Sequence, residues 1–118
     1  MDNKKYKPQL IARESAIKIL YQMKMQDESI KDVMSSFIEK RDYDETLLRN
    51  ILIRYIDNKE QIISLLNEKT DVSLDNIPVL DECIIHLSIC EFLFINKSKS
   101  IIINEYINIA KKYSSPKM

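Results

Sequence analysis

The sequence predicts an all-α fold, and three observations carry that prediction. The 118 residues contain no glycine, the residue on which the tight turns of hairpin-rich β folds depend. Apolar residues recur at three- and four-residue spacing along most of the chain, the period of one face of a helix. The three prolines, Pro8, Pro78 and Pro116, stand at the edges of these periodic segments, where a missing N–H costs little or a helix must stop. The missing glycine also excludes a Walker-type phosphate loop, a GxGxxG dinucleotide turn and a GxSxG nucleophile elbow, each of which needs it for a sharp turn or close backbone approach. With 45% apolar and 31% charged residues, one soluble domain with one core is expected. No stretch reaches the roughly 18 uncharged apolar residues of a membrane span.

The elements follow in order. Pro8 suits a first helical turn, and Ala12, Ala16, Ile19, Leu20 and Met23 then mark one helix face. Ser29 is an N-cap residue type ahead of Ile30, Val33, Met34, Phe37 and Ile38, an amphipathic stripe at i, i+3, i+4, i+7 and i+8. Asp44 starts a third segment through Leu47, Leu48, Ile51, Leu52, Tyr55 and Ile56. Asp57 and Asn58 either interrupt it or lie within one helix that resumes at Ile62, Ile63, Leu65 and Leu66. Thr70 to Asn76 is polar and turn-prone, with Leu74 as an anchor. The segment Ile77 to Ile95, opened by Pro78, is apolar on most sides and reads as the buried centre of a bundle. Asn96 to Ser100 connects to a last helix, capped by Ser100, with Ile102, Tyr106, Ile109, Ala110 and Tyr113 on one face. Ser114, Ser115 and Pro116 end it.

The 18 basic and 18 acidic residues cancel overall but are unevenly placed. Residues 1–24 hold six basic against two acidic (+4), residues 25–95 seven against fifteen (−8), and residues 96–118 five against one (+4). If the two basic ends meet in space they make a polyanion site; if they do not, the lysines only solvate the termini. Met1 to Lys7 is charged and no apolar stretch of secretory type follows it, so a cytoplasmic protein is expected. Cys83 and Cys90, seven residues apart on one predicted helix, lie about 10 Å apart along its axis, too far for a disulfide. They read as reduced core thiols.

Catalytic chemistry is hard to find. His86 is the one histidine, and it sits in the most apolar segment. Cys83, His86 and Cys90 share roughly one helix face, but a closed zinc site needs four ligands; core packing, with His86 at a groove edge, is the expected reading. The carboxylates are scattered as on solvated surfaces. The first helix is more informative. Lys4, Lys5 and Lys7 form a basic lead-in, Arg13 and Lys18 follow, and Tyr21 neighbours Lys18 at i+3. Cations neutralise phosphates and a tyrosine stacks unpaired bases, although Tyr21 at the edge of a core would look the same in sequence.

The run Ala12-Arg13-Glu14-Ser15-Ala16-Ile17-Lys18-Ile19-Leu20-Tyr21-Gln22 resembles the opening signature of the NusB family of bacterial transcription antitermination factors. Leu74-Asp75-Asn76-Ile77-Pro78-Val79-Leu80-Asp81, through Leu87-Ser88-Ile89-Cys90-Glu91-Phe92, resembles that family's central helix. Ile102-Ile103-Asn104-Glu105-Tyr106-Ile107-Asn108-Ile109-Ala110-Lys111-Lys112-Tyr113 resembles its penultimate segment. The three runs lie in the family's order and spacing and span most of the chain.

The resemblance implies an all-α fold of two small helical bundles in one RNA-binding domain over residues 1–118, with residues 1–7 a flexible lead-in. It implies binding of boxA-type single-stranded RNA from ribosomal RNA leaders, together with the ribosomal protein NusE, in an antitermination complex on RNA polymerase. It implies neither catalysis nor a cofactor. On the residues, Arg13 falls at the end of the family's arginine-rich start, Lys18 at a polar RNA-facing position and Tyr21 at its aromatic position. The upstream arginines are replaced by Gln9, Leu10 and Ile11, which leaves Lys4, Lys5 and Lys7 as substitutes. Lysine is a point charge where arginine is a fork, so weaker and more salt-dependent binding is expected. Asp75 and Asp81 match acidic positions near the NusE-receiving face, and His86 stands where arginine is common; these three are the expected partner interface. Ser73 precedes Leu74 where a tryptophan-containing stretch is common. Family members usually continue into a final helix with a Phe-Val-Asn-Gly-Val-Leu-like motif, which these residues do not include. The expectation is therefore a fold without that helix, an apolar groove open along Ile102 to Tyr113, and self-association into a homodimer through it. Two other readings keep the helices but change their role. One is an RNA-binding module related to those of rRNA cytosine methyltransferases, and the other a helical protein-interaction domain that binds no RNA.

Overall fold

A computed structural model of the chain describes residues 7–37, 42–69, 77–95 and 98–113. Within them lie five helices, α1 (Lys7–Gln26), α2 (Ile30–Ser36), α3 (Glu45–Lys69), α4 (Val79–Phe94) and α5 (Lys99–Tyr113), and no strand. Lys4, Lys5, Ile38, the Thr70–Asn76 turn with Leu74 and Asp75, and the Ser114–Pro116 stop lie outside the described residues.

Local chemistry sets most boundaries. Ser29 caps α2, its side chain accepting from the Asp32 N–H at 3.2 Å, and Asp44 does the same for α3 through Leu47 N–H at 2.9 Å. Pro78 precedes the first residue of α4. The α1 helix ends on Asp27 with φ 52°, and Glu28 N–H bonds back to the Met23 carbonyl. This is the left-handed termination that glycine normally supplies; in a chain without glycine an aspartate takes it, as Asp and Asn tolerate this region best among the rest. Asp57 and Asn58 do not interrupt α3, and the Asn58 amide bonds within the helix to the Arg54 carbonyl. Ser100 is not the cap of α5: the helix begins at Lys99, and Ile102 N–H reaches the Ser98 carbonyl.

The helices α1 and α3 run side by side, their starts tied by Asp44 N–H to the Pro8 carbonyl, and α4 runs antiparallel to both. Arg13 and Lys24 of α1 meet Glu91 and Glu82 of α4, while Ile51 and Tyr55 of α3 meet Cys90 and His86. The helices α1, α3 and α4 pack against one another, α2 packs against α1, and α5 packs against α4.

The buried centre is α4, as expected, together with α1: α4 packs against α1, α3 and α5, and Leu93 is the one exposed residue among its sixteen. Seven consecutive residues, Ile11 to Ile17, are buried, which means every face of that stretch is covered. The predicted stripe of Ala12, Ala16, Ile19 and Leu20 is part of this core, with Met23 half-buried against it. The α4 helix buries Cys83, Ile84, Leu87 and Cys90 and leaves Leu93 44% exposed.

Candidate nucleic-acid interface

At about 100° per residue, Lys7, Glu14, Lys18 and Tyr21 fall within a sector of about 60° on α1. Lys7, Lys18 and Tyr21 are exposed, whereas Glu14 between them is 3% exposed. The end of α5 covers it. Lys112 Nζ donates to Glu14 Oε2 at 2.9 Å, and the Tyr113 hydroxyl donates to the same oxygen at 3.0 Å. The Lys112 ammonium also lies 5.2 Å from the centre of the Tyr113 ring and its side chain is 60% exposed. Hydrogen bonding to Glu14, then Glu14's charge, raises the pKa of Lys112, so the ammonium stays charged. Burial, then the bond to Glu14, raises that of Tyr113, which keeps the phenol protonated and donating. The two basic ends of the chain therefore meet, and Lys7, Lys18, Tyr21, Lys112 and Tyr113 stand on one face.

Arg13 is not on that face, which corrects its expected role. It is 1% exposed, pointing away from the sector into the α1–α4–α5 junction. Its Nε and Nη2 donate to the two oxygens of Glu91 at 2.9 and 2.6 Å, and Nη1 reaches Glu105 at 3.4 Å. The Tyr106 hydroxyl donates to Glu91 at 2.8 Å. Burial would lower the Arg13 pKa, but the bonds and charge of Glu91, with Tyr106 and Glu105, outweigh it and the net shift is upward. The guanidinium fork thus joins three helices at once: it positions α5 against α1 and has no free edge for a phosphate.

The expected partner interface also comes apart. Asp75 lies outside the described residues, and Asp81 is half-buried in the first turn of α4. His86 is 6% exposed and shares a 3.1 Å hydrogen bond between its Nδ1 and the Tyr55 hydroxyl. Five residues separate Asp81 from His86, which projects them about 140° apart on the helix, so they do not make one surface. His86 instead edges a small cavity of about 190 Å³ beside the Lys24–Glu82 ion pair. Cys83 and Cys90 are buried free thiols, pushed up by burial to about 11 and about 12, and Cys90 donates to the Ile51 carbonyl. No helix among the described residues is long and apolar enough to cross a membrane.

Sequence reasoning missed Glu14, Lys112 and Tyr113 as one unit, because nothing local links residues 98 and 99 positions apart. The available signal was the +4, −8, +4 charge layout, which poses the question of whether the ends meet without answering it.

The signature of the NusB family matches residues 10–118, which takes in α1 through α5 with both halves of this face apart from Lys7. The chain belongs to the NusB family. Its relatives include a transcription antitermination protein NusB of Finegoldia magna, 29% identical over 113 residues, covering 90% of this chain and 81% of that protein. The transcription antitermination protein NusB of a Thermoanaerobacter species is 32% identical, covering 88% and 76%, and that of Aliarcobacter butzleri is 31% identical, covering 88% and 82%. These NusB relatives are named for transcription antitermination and not for a catalytic activity.

Proposed function

We propose that this chain is a transcription antitermination factor whose single domain binds boxA-like single-stranded RNA of ribosomal RNA leaders. In this reading the RNA lies along the sector of α1 that carries Lys7, Lys18 and Tyr21, continues onto Lys112 and Tyr113 of α5, and is reached by Lys4 and Lys5. A NusE-type ribosomal protein binds elsewhere, toward the acidic middle of the chain that includes Asp75 and Asp81, and the pair joins an antitermination complex on RNA polymerase in the cytoplasm. RNA and partner each supply modest affinity, and the joined complex holds better than either alone.

The observation that carries the reading is the junction at Glu14, where Lys112 and Tyr113 of α5 close on the helix α1 that carries the exposed Lys7, Lys18 and Tyr21. Cations neutralise successive phosphates, and aromatic rings stack bases at roughly 1–3 kcal/mol per base. The test is binding of a labelled boxA-like RNA, with and without NusE, across a salt series. NusE is expected to raise the affinity, and replacing Lys4, Lys5 and Lys7 together by alanine to flatten the salt slope by about 2. Binding no tighter than to a scrambled strand, with and without NusE, contradicts the proposal.

A further inference from the structure

Between Lys7 and Met25 the helix α1 has four exposed residues, Lys7, Lys18, Tyr21 and Met25, and the rest are buried or half-buried. At about 100° per residue all four fall within one sector of about 60°, with Met25 at the same angle as Lys7 about five turns earlier. The helix therefore has a single open strip, and a strand lying along α1 lies along it. Met25 is 57% exposed, more than any other large apolar side chain among the described residues. Met23 is the one that packs against the core in this turn.

The chemistry changes along the strip. Lys7, Lys18 and, at the Glu14 junction, Lys112 supply cations over its first part. Beyond Lys18 it carries Tyr21 and Met25 and no further cation. Lys24 is close by in sequence but is paired with Glu82 at 3.0 Å. Asp27 and Glu28 follow, both exposed, where α1 ends. Phosphates are drawn to the lysines and repelled by these carboxylates. Tyr21 and Met25 are one turn apart, about 6 Å along the axis and about 40° round it, so their side chains are neighbours. A phenol ring stacks on the face of any base, and a polarizable thioether makes favourable contacts with aromatic rings.

We propose that Met25 joins Tyr21 in holding one unpaired base of the bound RNA at the end of this strip. The inference rests on the RNA reading above and adds to it a residue without charge. The lysines set the salt dependence of binding, and the Tyr21–Met25 pair contributes affinity that salt does not screen. A duplex keeps its bases stacked inside, whereas a single strand can splay one out onto the pair.

The test uses the full chain and the labelled boxA-like RNA, together with a set of the same strand in which each base in turn is replaced by an abasic site. Met25 is exposed and alanine favours helix, so Met25→Ala keeps the fold. It is expected to weaken binding about fivefold at every salt concentration, leaving the salt slope unchanged, whereas Lys112→Ala lowers the slope. One abasic strand should bind the unaltered chain and Met25→Ala equally, and the same strand should erase the effect of Tyr21→Ala. Unchanged affinity in Met25→Ala, while Tyr21→Ala and Lys112→Ala weaken binding, overturns the role of Met25 and leaves the RNA face standing. So does an effect of Met25→Ala that needs NusE to be present, which assigns the side chain to the protein partner. Failure of the unaltered chain to bind the RNA, with or without NusE, overturns both readings together.

Discussion

Glu14 of α1 and Lys112 of α5 are 98 residues apart in sequence and joined by a 2.9 Å hydrogen bond between a 3% exposed carboxylate and an ammonium that faces solvent. The bond pins the end of the last described helix onto the first, and it leaves part of the ammonium's surface open to a ligand. The Tyr113 hydroxyl shares the same carboxylate oxygen, so the anchor survives loss of either donor alone. Lys112→Ala is therefore expected to change stability by no more than about 1 kcal/mol, the range of exposed pairs. In RNA binding it should remove one phosphate contact and reduce the slope of log K against log salt by about 0.7. Urea unfolding and a salt titration read the two effects separately.

Arg13 and Glu91 predict the opposite pattern. Both are buried, and removing one leaves the other uncompensated, which costs about 3–5 kcal/mol, a large share of the 5–15 kcal/mol that holds a domain together. Arg13→Ala should lower the urea midpoint severely, and Arg13→Met combined with Glu91→Leu should lower it less, because an apolar pair leaves no buried charge behind. In protein that remains folded, the salt slope of RNA binding should be that of the unaltered chain. A slope reduced by Arg13→Met/Glu91→Leu as much as by Lys112→Ala would return Arg13 to the RNA face.

His86 makes stability depend on pH. Burial lowers its pKa; Lys24 lowers it further, Glu82 opposes, and Lys59 adds a smaller lowering. The folded imidazole therefore stays neutral below the point, near 6.5, at which the unfolded chain takes up a proton. Stability is then lost as pH falls through that value and continues to fall until the folded imidazole also protonates. His86→Gln, which keeps an acceptor for the Tyr55 hydroxyl, should flatten this part of the profile. The check is the difference in unfolding free energy between the two proteins from pH 7 down to pH 5.

Asp27 offers a stabilising substitution. Its φ of 52° lies where a side chain clashes with its own backbone and glycine does not. Asp27→Gly is expected to raise stability by about 0.5–1 kcal/mol, net of glycine's greater freedom in the unfolded chain. Thermal unfolding measures it, and an unchanged or lower Tm would mean that the aspartate is held by more than its helix end.

Features of short range are legible in the sequence. Ser29 and Asp44 announce their caps, the spacing of Val33, of Leu47 to Tyr55 and of Ile102 to Ile109 announces buried faces, and the absence of glycine announces a helical fold. What escapes is set by contacts between residues far apart. Arg13 reads as a ligand because a cation among apolar residues on a predicted surface helix has no visible partner, and its partners Glu91 and Glu105 lie 78 and 92 residues away. Hydropathy also points to α4 as the central helix. The α1 helix, with a charged and less apolar sequence, shares that centre from Ile11 to Ile17, because Arg13 and Glu14 pair internally. His86 is hard to place for a related reason: its bond to Tyr55 bridges 31 residues, and nothing near it in sequence shows that its ring is held inside.

The central claim is that the two ends of the chain form one RNA face, and photocrosslinking tests it most directly. A boxA-like RNA carrying a photoreactive base is bound to the full chain, irradiated, and the attachment sites are mapped by mass spectrometry. Crosslinks to peptides from both α1, at or near Tyr21, and the end of α5, at or near Tyr113, are the predicted result, and a scrambled RNA should give neither. Crosslinks confined to α3 and α4, or equal labelling by the scrambled strand, would contradict it.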